Sequence, residues 1–134
     1  MDFTLELVVV PVTDVDRAKA FYSEQCGFNV DVDQSFGDTF RVVQLTPPGS
    51  TCSISIGKGL AKMEPGTLNG LQLCVVDIDA ARAELAGRGV DITPVRHIVD
   101  GEWLDGHGGP WNSFAFFNDP DGNGWAVQEK PAAS

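Results

Sequence analysis

The chain contains two copies of one unit, and whatever one copy forms the other must form as well. The stretch LVVVPVTDVDRAKAFY (Leu7 to Tyr22) is matched by GLQLCVVDIDAARAEL (Gly70 to Leu85) at a constant offset of 63 residues. Asp14 aligns with Asp77, Val15 with Ile78, Asp16 with Asp79, and Ala18 and Ala20 with Ala81 and Ala83. Further on, TPPGSTCSISIG (Thr46 to Gly57) is matched by DPDGNGWAVQEK (Asp119 to Lys130) at an offset of 73. The larger offset means that the second copy carries an insertion between its helix and its last strands.

Each copy reads strand, helix, then several strands. LELVVVPV and LQLCVV are β-rich apolar runs. Thr13 or Asp14 caps a helix with Val15, Ala18, Phe21 and Tyr22 at three- and four-residue spacing, and Gly27 ends it. Asp77 opens the second helix, with Ile78, Ala81 and Leu85 on one face and Gly87 or Gly89 at its close. The acid pairs 14/16 and 77/79 serve helix starts, where they satisfy free amides and the dipole. Strands follow over roughly Asn29–Asp33, Phe40–Leu45 and Cys52–Ile56, then roughly Asp91–Val99, Ser113–Phe117 and Trp125–Glu129. The pattern is βαβββ twice, an α+β arrangement.

Composition excludes several classes. The 134 residues, 43% hydrophobic with no low-complexity tract, suffice for one domain with a real core. The N-terminal run starts acidic and is broken by Pro11 and Thr13, so it reads as neither a signal peptide nor a membrane span. Cys26, Cys52 and Cys74 form no C-x-x-C pair, which places free thiols in a reducing cytoplasm. A net charge of −10 repels nucleic acid and anionic lipid, and favours a cationic ligand if it favours any.

FNDPDGNGWAVQEK resembles the start of a calcium loop, with Asp119, Asp121, Asn123 and Gly124 in ligand and turn positions. Such a loop needs a carboxylate at its twelfth position, which here is Lys130, and flanking helices, which Pro120 and WAVQE replace. The stretch is therefore a turn leading into a strand.

A doubled βαβββ unit, opened by VTDVDRAKAFYSEQCGF and closed by FNDPDGNGWAVQEK, resembles the vicinal oxygen chelate superfamily. That group contains glyoxalase I, extradiol dioxygenases, fosfomycin-modifying enzymes and bleomycin resistance proteins. The resemblance implies one domain over residues 1–134, with modules of about 1–60 and 68–130. It implies a curved, mostly antiparallel sheet around a concave pocket, and a homodimer. In the family's metalloenzymes each half supplies two metal ligands, one from its first strand and one from its last. By that pattern the four positions here hold Leu7, Ser53, Gly70 and Ala126, so the resemblance implies no metal and no other cofactor. Glu129 lies three residues past the last position and reads as a solvated or salt-bridged strand end.

The insertion, PVRHIVDGEWLDGHGGPWN (Pro94 to Asn112), holds His97, Asp100, Glu102, Asp105 and His107. The ten-residue spacing of the two histidines matches none of the fixed spacings of a metal site, so they read as surface or pocket-edge side chains. Trp103 and Trp111 sit in the same Gly-rich stretch, where loops seldom bury such bulk without a ligand or partner. In FAFF (Phe114 to Phe117), Phe114 and Phe116, or alternatively Phe117, read as core on a strand face. Gln44, Ser53, Gln72 and Gln128 are polar groups on apolar strands, suited to a cavity lined by a few hydrogen bonds. The candidate ligand-binding set is therefore Gln44, Ser53, Gln72, His97, Trp103, Trp111 and Gln128.

Two functional readings follow. One is a small-molecule-binding protein that, like the bleomycin resistance branch, sequesters a cationic or aromatic drug or natural product in a metal-free pocket. The alternative is an enzyme of the same superfamily, an isomerase, lyase or dioxygenase-like protein using His97, His107 or a relocated metal site.

Overall fold

Asp14 lies in extended conformation, and its carboxylate accepts from Arg17 N at 3.0 Å, which starts α1 (Val15–Ala20). Asp77 does the same for α2 (Ile78–Gly87), accepting from Ala80 N at 3.0 Å. Both local signals thus specify helix starts one residue before the apolar periodicity begins. After α1 the chain winds on as a wider π-helical turn over Phe21–Gln25, in which Phe21 and Tyr22 both face inward.

These coordinates are a computed structural model, and they describe residues 1–132. The chain divides into two compact units: Met1–Leu68 with Asp119–Asn123, and Asn69–Asn118 with the segment from Gly124 onward. The sequence repeat assigns Asp119–Asn123 to the second module; packing assigns it to the first unit.

The first unit holds a four-stranded sheet of β1 (Leu7–Val9), β2 (Asn29–Phe36), β3 (Phe40–Thr46) and β4 (Ser53–Lys58), in the order β1-β4-β3-β2. β1 and β4 run parallel, with Leu7 beside Ser53; the other pairs are antiparallel. Val43, Leu45, Ile54 and Ile56 bury one face of this sheet against Ala18, Phe21, Tyr22 and Phe28. Tyr22 touches Phe21 edge-on and stacks on Phe28.

The turn DPDGN closes this core with polar contacts. Asp119 and Asn123 are buried, and Tyr22 Oη donates to Asp119 Oδ2 at 2.7 Å. Asn123 Nδ2 donates to Pro11 O at 2.7 Å and to Asp119 Oδ2 at 2.8 Å, while its Oδ1 accepts from Leu68 N at 3.1 Å. Gly66, at φ +80, lies so close that a Cβ there would come within 2.3 Å of Asp121 O. Outside the core, Arg41 binds Asp33 through two nitrogens at 3.0 and 2.9 Å and reaches Asp16 at 2.8 Å; Lys19 meets Asp33 at 2.8 Å. The Arg41 and then the Lys19 hydrogen bonds hold the Asp33 carboxyl well below the usual carboxylate range, and Asp33 in turn raises Arg41.

The second unit holds β5 (Leu71–Val75), β6 (Arg96–Val99), β7 (Glu102–Asp105), β8 (Phe114–Asn118) and β9 (Gly124–Glu129), in the order β5-β9-β8-β6-β7. Again the first and last strands of the module pair in parallel. Two features differ from the sequence expectation. The second module is βαββββ, because the insertion forms a hairpin whose turn is Asp100–Gly101, with φ of +51 and +81. Both central residues at positive φ make the type I′ turn favoured by Asp-Gly. The expected strand from Asp91 shortens to Arg96–Val99. Pro94 has no N–H to give a ladder, and Phe116 N turns instead to the Thr93 hydroxyl at 3.0 Å. Arg82 of α2 ties this stretch down through the carbonyls of Thr93 and Ile92.

Two outcomes are expected. Asn123→Ala leaves Pro11 O and Leu68 N without their partner and should lower unfolding free energy by about 3 kcal/mol in urea, with Tyr22→Phe losing about 1–2; an unmoved midpoint in both would refute the role of this network. Because the folded-state pKa of Asp33 is depressed, its contribution is present above the unfolded carboxylate value and is lost as pH falls below it. Thermal scans from pH 6 to 2 should therefore show a steeper acid-side decline for the wild type than for Asp33→Asn.

Candidate functional site

Strand register sorts the second sheet into two faces, since opposed residues share a face. Ala115, Phe117 and Val127 are buried on the side that α2 covers. The other face is open and carries Gln72, Ala126, Gln128, Phe114, Phe116 and Arg96. Ile98 continues it on β6, and Trp103, opposite Ile98, on β7.

Three aromatic rings organise this face. The Phe114 and Phe116 rings lie nearly parallel, 8° apart in plane and 6.3 Å between centroids. The Trp103 indole stands at 89° to both, with centroids at 5.4 and 5.2 Å. These are favourable edge-to-face contacts, and they hold an indole that remains 46% exposed. Of the two alternatives for this strand, Phe114 and Phe116 are half-buried members of this cluster and Phe117 is the buried one. Only Phe117 of that run is core together with Ala115. The apolar alternation of a strand with both faces aromatic hides which face is covered.

Polar groups border the aromatics. Gln72 Nε2 donates to Gln128 Oε1 at 2.6 Å, and Gln128 Nε2 donates to Trp111 O at 2.8 Å. Trp111 itself is a non-glycine residue at φ +63 and 54% exposed. On the first sheet, Gln44 Nε2 donates to Ser53 Oγ at 3.4 Å, Ser53 Oγ lies 2.7 Å from Thr46 Oγ1, and Thr46 donates to Asp31. The structure thus brings together Gln72, Gln128 and Trp111 in one unit with Trp103 on the same face, and Gln44 with Ser53 in the other.

The histidines stand apart from this set. His97 is on the face opposite Trp103, and its Nδ1 is 2.9 Å from Gly106 O. His107 Nε2 meets the Asp79 carboxylate at 3.0 and 2.8 Å on the surface. Asp79, read from sequence only as a first-turn acid, is therefore a histidine partner as well. No group of three His, Cys, Asp or Glu side chains that could hold a metal ion occurs among the described residues. Glu129 is not a solvated strand end: its carboxylate accepts from Ile78 N at 3.0 Å at the start of α2. The metal that the resemblance associates with this fold does not fit here. Leu7 and Ser53 are neighbours, Gly70 falls before β5, and the residue opposite Ala126 is Gln72, which leaves a hydroxyl and an amide as the donors.

A hollow of about 560 Å³ in the first unit lies elsewhere, between Pro11–Val15 and Gly57–Pro65. Thr13, Asp14 and Lys58 are among its lining residues, and the Asp14 carboxylate already accepts from Arg17 N. A smaller hollow of about 310 Å³ in the second unit runs along Asp91–Pro94 and Phe116–Asn118.

With the tandem modules and this open face in view, comparison with known proteins defines the class. Residues 4–127 match the Glyoxalase/Bleomycin resistance protein/Dioxygenase superfamily model, and the chain belongs to that superfamily. Among solved structures it is similar to TnmS3, an antibiotic binding protein from Streptomyces sp. CB03234, at 36% identity and a TM-score of 0.77, covering 98% of each chain. A glyoxalase/bleomycin resistance protein from the same Streptomyces is also 36% identical, with a TM-score of 0.74 over 94% of this chain and 100% of that one. A superfamily member from Sphaerobacter thermophilus DSM 20745 shares 26% identity at a TM-score of 0.76, over 96% and 98% of the two chains. No curated protein matches the sequence significantly. Among the described residues no helix is long and apolar enough to cross a membrane.

Native mass spectrometry with added zinc, nickel or iron should detect no stoichiometric ion on the folded chain. One tightly held ion per chain would overturn the reading of Leu7, Ser53, Gly70 and Ala126.

Proposed function

We infer that this protein binds a small aromatic molecule, a drug or natural product, and sequesters it without altering it. The observation that carries the reading is the open aromatic face, where Trp103 stands over Phe114 and Phe116 beside a hydrogen-bonded glutamine pair. Flat rings flanked by a few fixed polar groups are the usual lining of small-molecule sites. The antibiotic-binding neighbour at 36% identity supports the same reading. Gln72, Trp103, Trp111 and Gln128 form its contact set in the second unit; Gln44 and Ser53 form a separate polar relay within the first. His97 has no place in it, because it lies on the opposite face from Trp103. A net charge of −10 favours cationic over anionic ligands. The free thiols of Cys52 and Cys74 accord with a cytoplasmic setting, and a second copy would cover the exposed Phe3 and Leu5 beside β1 in a homodimer.

The enzymatic alternative rests on one pair: Asp79 orients His107 as a carboxylate orients a histidine base. The two readings separate cleanly. Titration of aromatic antibiotics against tryptophan fluorescence should find a ligand whose affinity falls about tenfold or more in Trp103→Ala, stays within about twofold in His97→Ala and His107→Ala, and is recovered chemically unchanged. Ligand turnover that disappears in His107→Ala would establish the enzyme instead. Sedimentation velocity of the intact chain should give a dimer, and a monomer at micromolar concentration would refute that part.

A further inference from the structure

Each sheet carries a side-chain relay whose hydrogen-bond direction is fixed at one end. In the second unit the fixed end is the Trp111 carbonyl, which can only accept. Gln128 must turn its amide nitrogen toward it, as the 2.8 Å contact requires, so the Gln128 amide oxygen faces Gln72. Gln72 must then give its own nitrogen to that oxygen, at 2.6 Å. The two ends of an amide are alike in shape and are told apart by their partners; here the carbonyl settles both side chains. What remains is the Gln72 amide oxygen, on the open face, with no hydrogen bond among the described residues. The left-handed conformation of Trp111, strained for a residue with a side chain, sets the direction of its carbonyl.

The first unit repeats this logic with different residues. An ionised carboxylate only accepts, so Thr46 donates to Asp31, Ser53 donates to Thr46, and Gln44 gives its nitrogen to Ser53. The Gln44 amide oxygen is left over in the same way, without a partner among the described residues. Both relays therefore end in an acceptor. The opposite polarity on the second face comes from Arg96, opposite Phe114 in the ladder, whose guanidinium has no hydrogen bond or ion pair among the described residues.

We propose that the aromatic face selects a planar aromatic ligand carrying a hydroxyl or amine donor toward Gln72 and a carbonyl oxygen toward Arg96. This rests on the aromatic face being the ligand site. A ligand edge bearing only acceptors would meet the Gln72 oxygen lone pair to lone pair and lose its water without replacement. A donor edge replaces that water, and a carbonyl edge satisfies the free guanidinium without adding negative charge to an acidic protein.

The test uses two probes that differ in a single donor, 2-acetyl-6-hydroxynaphthalene and 2-acetyl-6-methoxynaphthalene, followed by the tryptophan indole N–H signals in NMR. The hydroxy probe should bind about fivefold or more tightly than the methoxy probe. Gln72→Leu, an exposed position that should fold normally, should abolish that preference by weakening the hydroxy probe; Arg96→Met should weaken both probes alike. Equal binding of the two probes by the wild-type chain, with the Trp103 indole shifted by both, would overturn the polarity proposal and leave the aromatic site standing. An Arg96→Met chain that binds both as before would overturn the carbonyl half. If neither probe moves the Trp103 indole, the site reading falls and the proposal with it.

Discussion

Asp119 is buried inside the first unit, and its two carboxyl oxygens take four hydrogen bonds. Oδ1 accepts from the backbone of Asp121 and Asn123 at 3.0 and 2.9 Å, and Oδ2 from Tyr22 Oη and Asn123 Nδ2. An acid removed from water is tolerable only when its oxygens are met in this way. Meeting them fixes the turn, and the turn in turn delivers Asn123 to the backbone of Pro11 and Leu68. Tyr22, fully buried between Phe21 and Phe28, is at once the centre of the apolar core and a donor to this network. Five residues from late in the chain thus complete a core whose strands and helix come from its first half.

Beyond that anchor, each unit gives one sheet face to apolar packing and the other to polar or aromatic side chains. On those second faces Gln72 and Trp103 are exposed, whereas Ser53, Ser55 and Ala126 are buried. Glutamine and serine on a strand cost little there when their amides and hydroxyls find one another, as Gln72 with Gln128 and Gln44 with Ser53 do. The aromatic rings of Trp103, Phe114 and Phe116 gain from mutual edge contacts while keeping one surface available. The superfamily scaffold is thereby furnished with amides and flat rings on these faces.

How much of this was legible depends on how far apart the interacting residues lie. The helix starts at Asp14 and Asp77 were readable because a cap bonds to an amide three residues on. The Asp100–Gly101 hairpin was readable in principle, since that dipeptide is a strong turn signal, but the glycines around it made the insertion look like an irregular loop. Glu129 capping α2 was not readable, because its partner is 51 residues away. Nor was the separation of His97 from Trp103, which follows from the pairing of Ile98 with Trp103 across the hairpin. Whether Phe114 and Phe116 or Phe117 forms the core was not readable, because composition cannot say which face of a strand a helix covers.

By itself the sequence determined the tandem repeat, the strand and helix order, the acidic field, and the lack of imidazole or carboxylate at the four positions where the family's metalloenzymes hold their ion. Those are properties of residue identity and of short-range hydrogen bonding, which the chain carries wherever it goes. The tertiary structure alone decided that Asp119–Asn123 packs with the first unit, that Trp103 joins Phe114 and Phe116, and that Gln72 and Gln44 turn their oxygens outward. Register and distant partners set those outcomes: a side chain's face is fixed by the strand beside it, and an amide's direction by the acceptor at the far end of its relay.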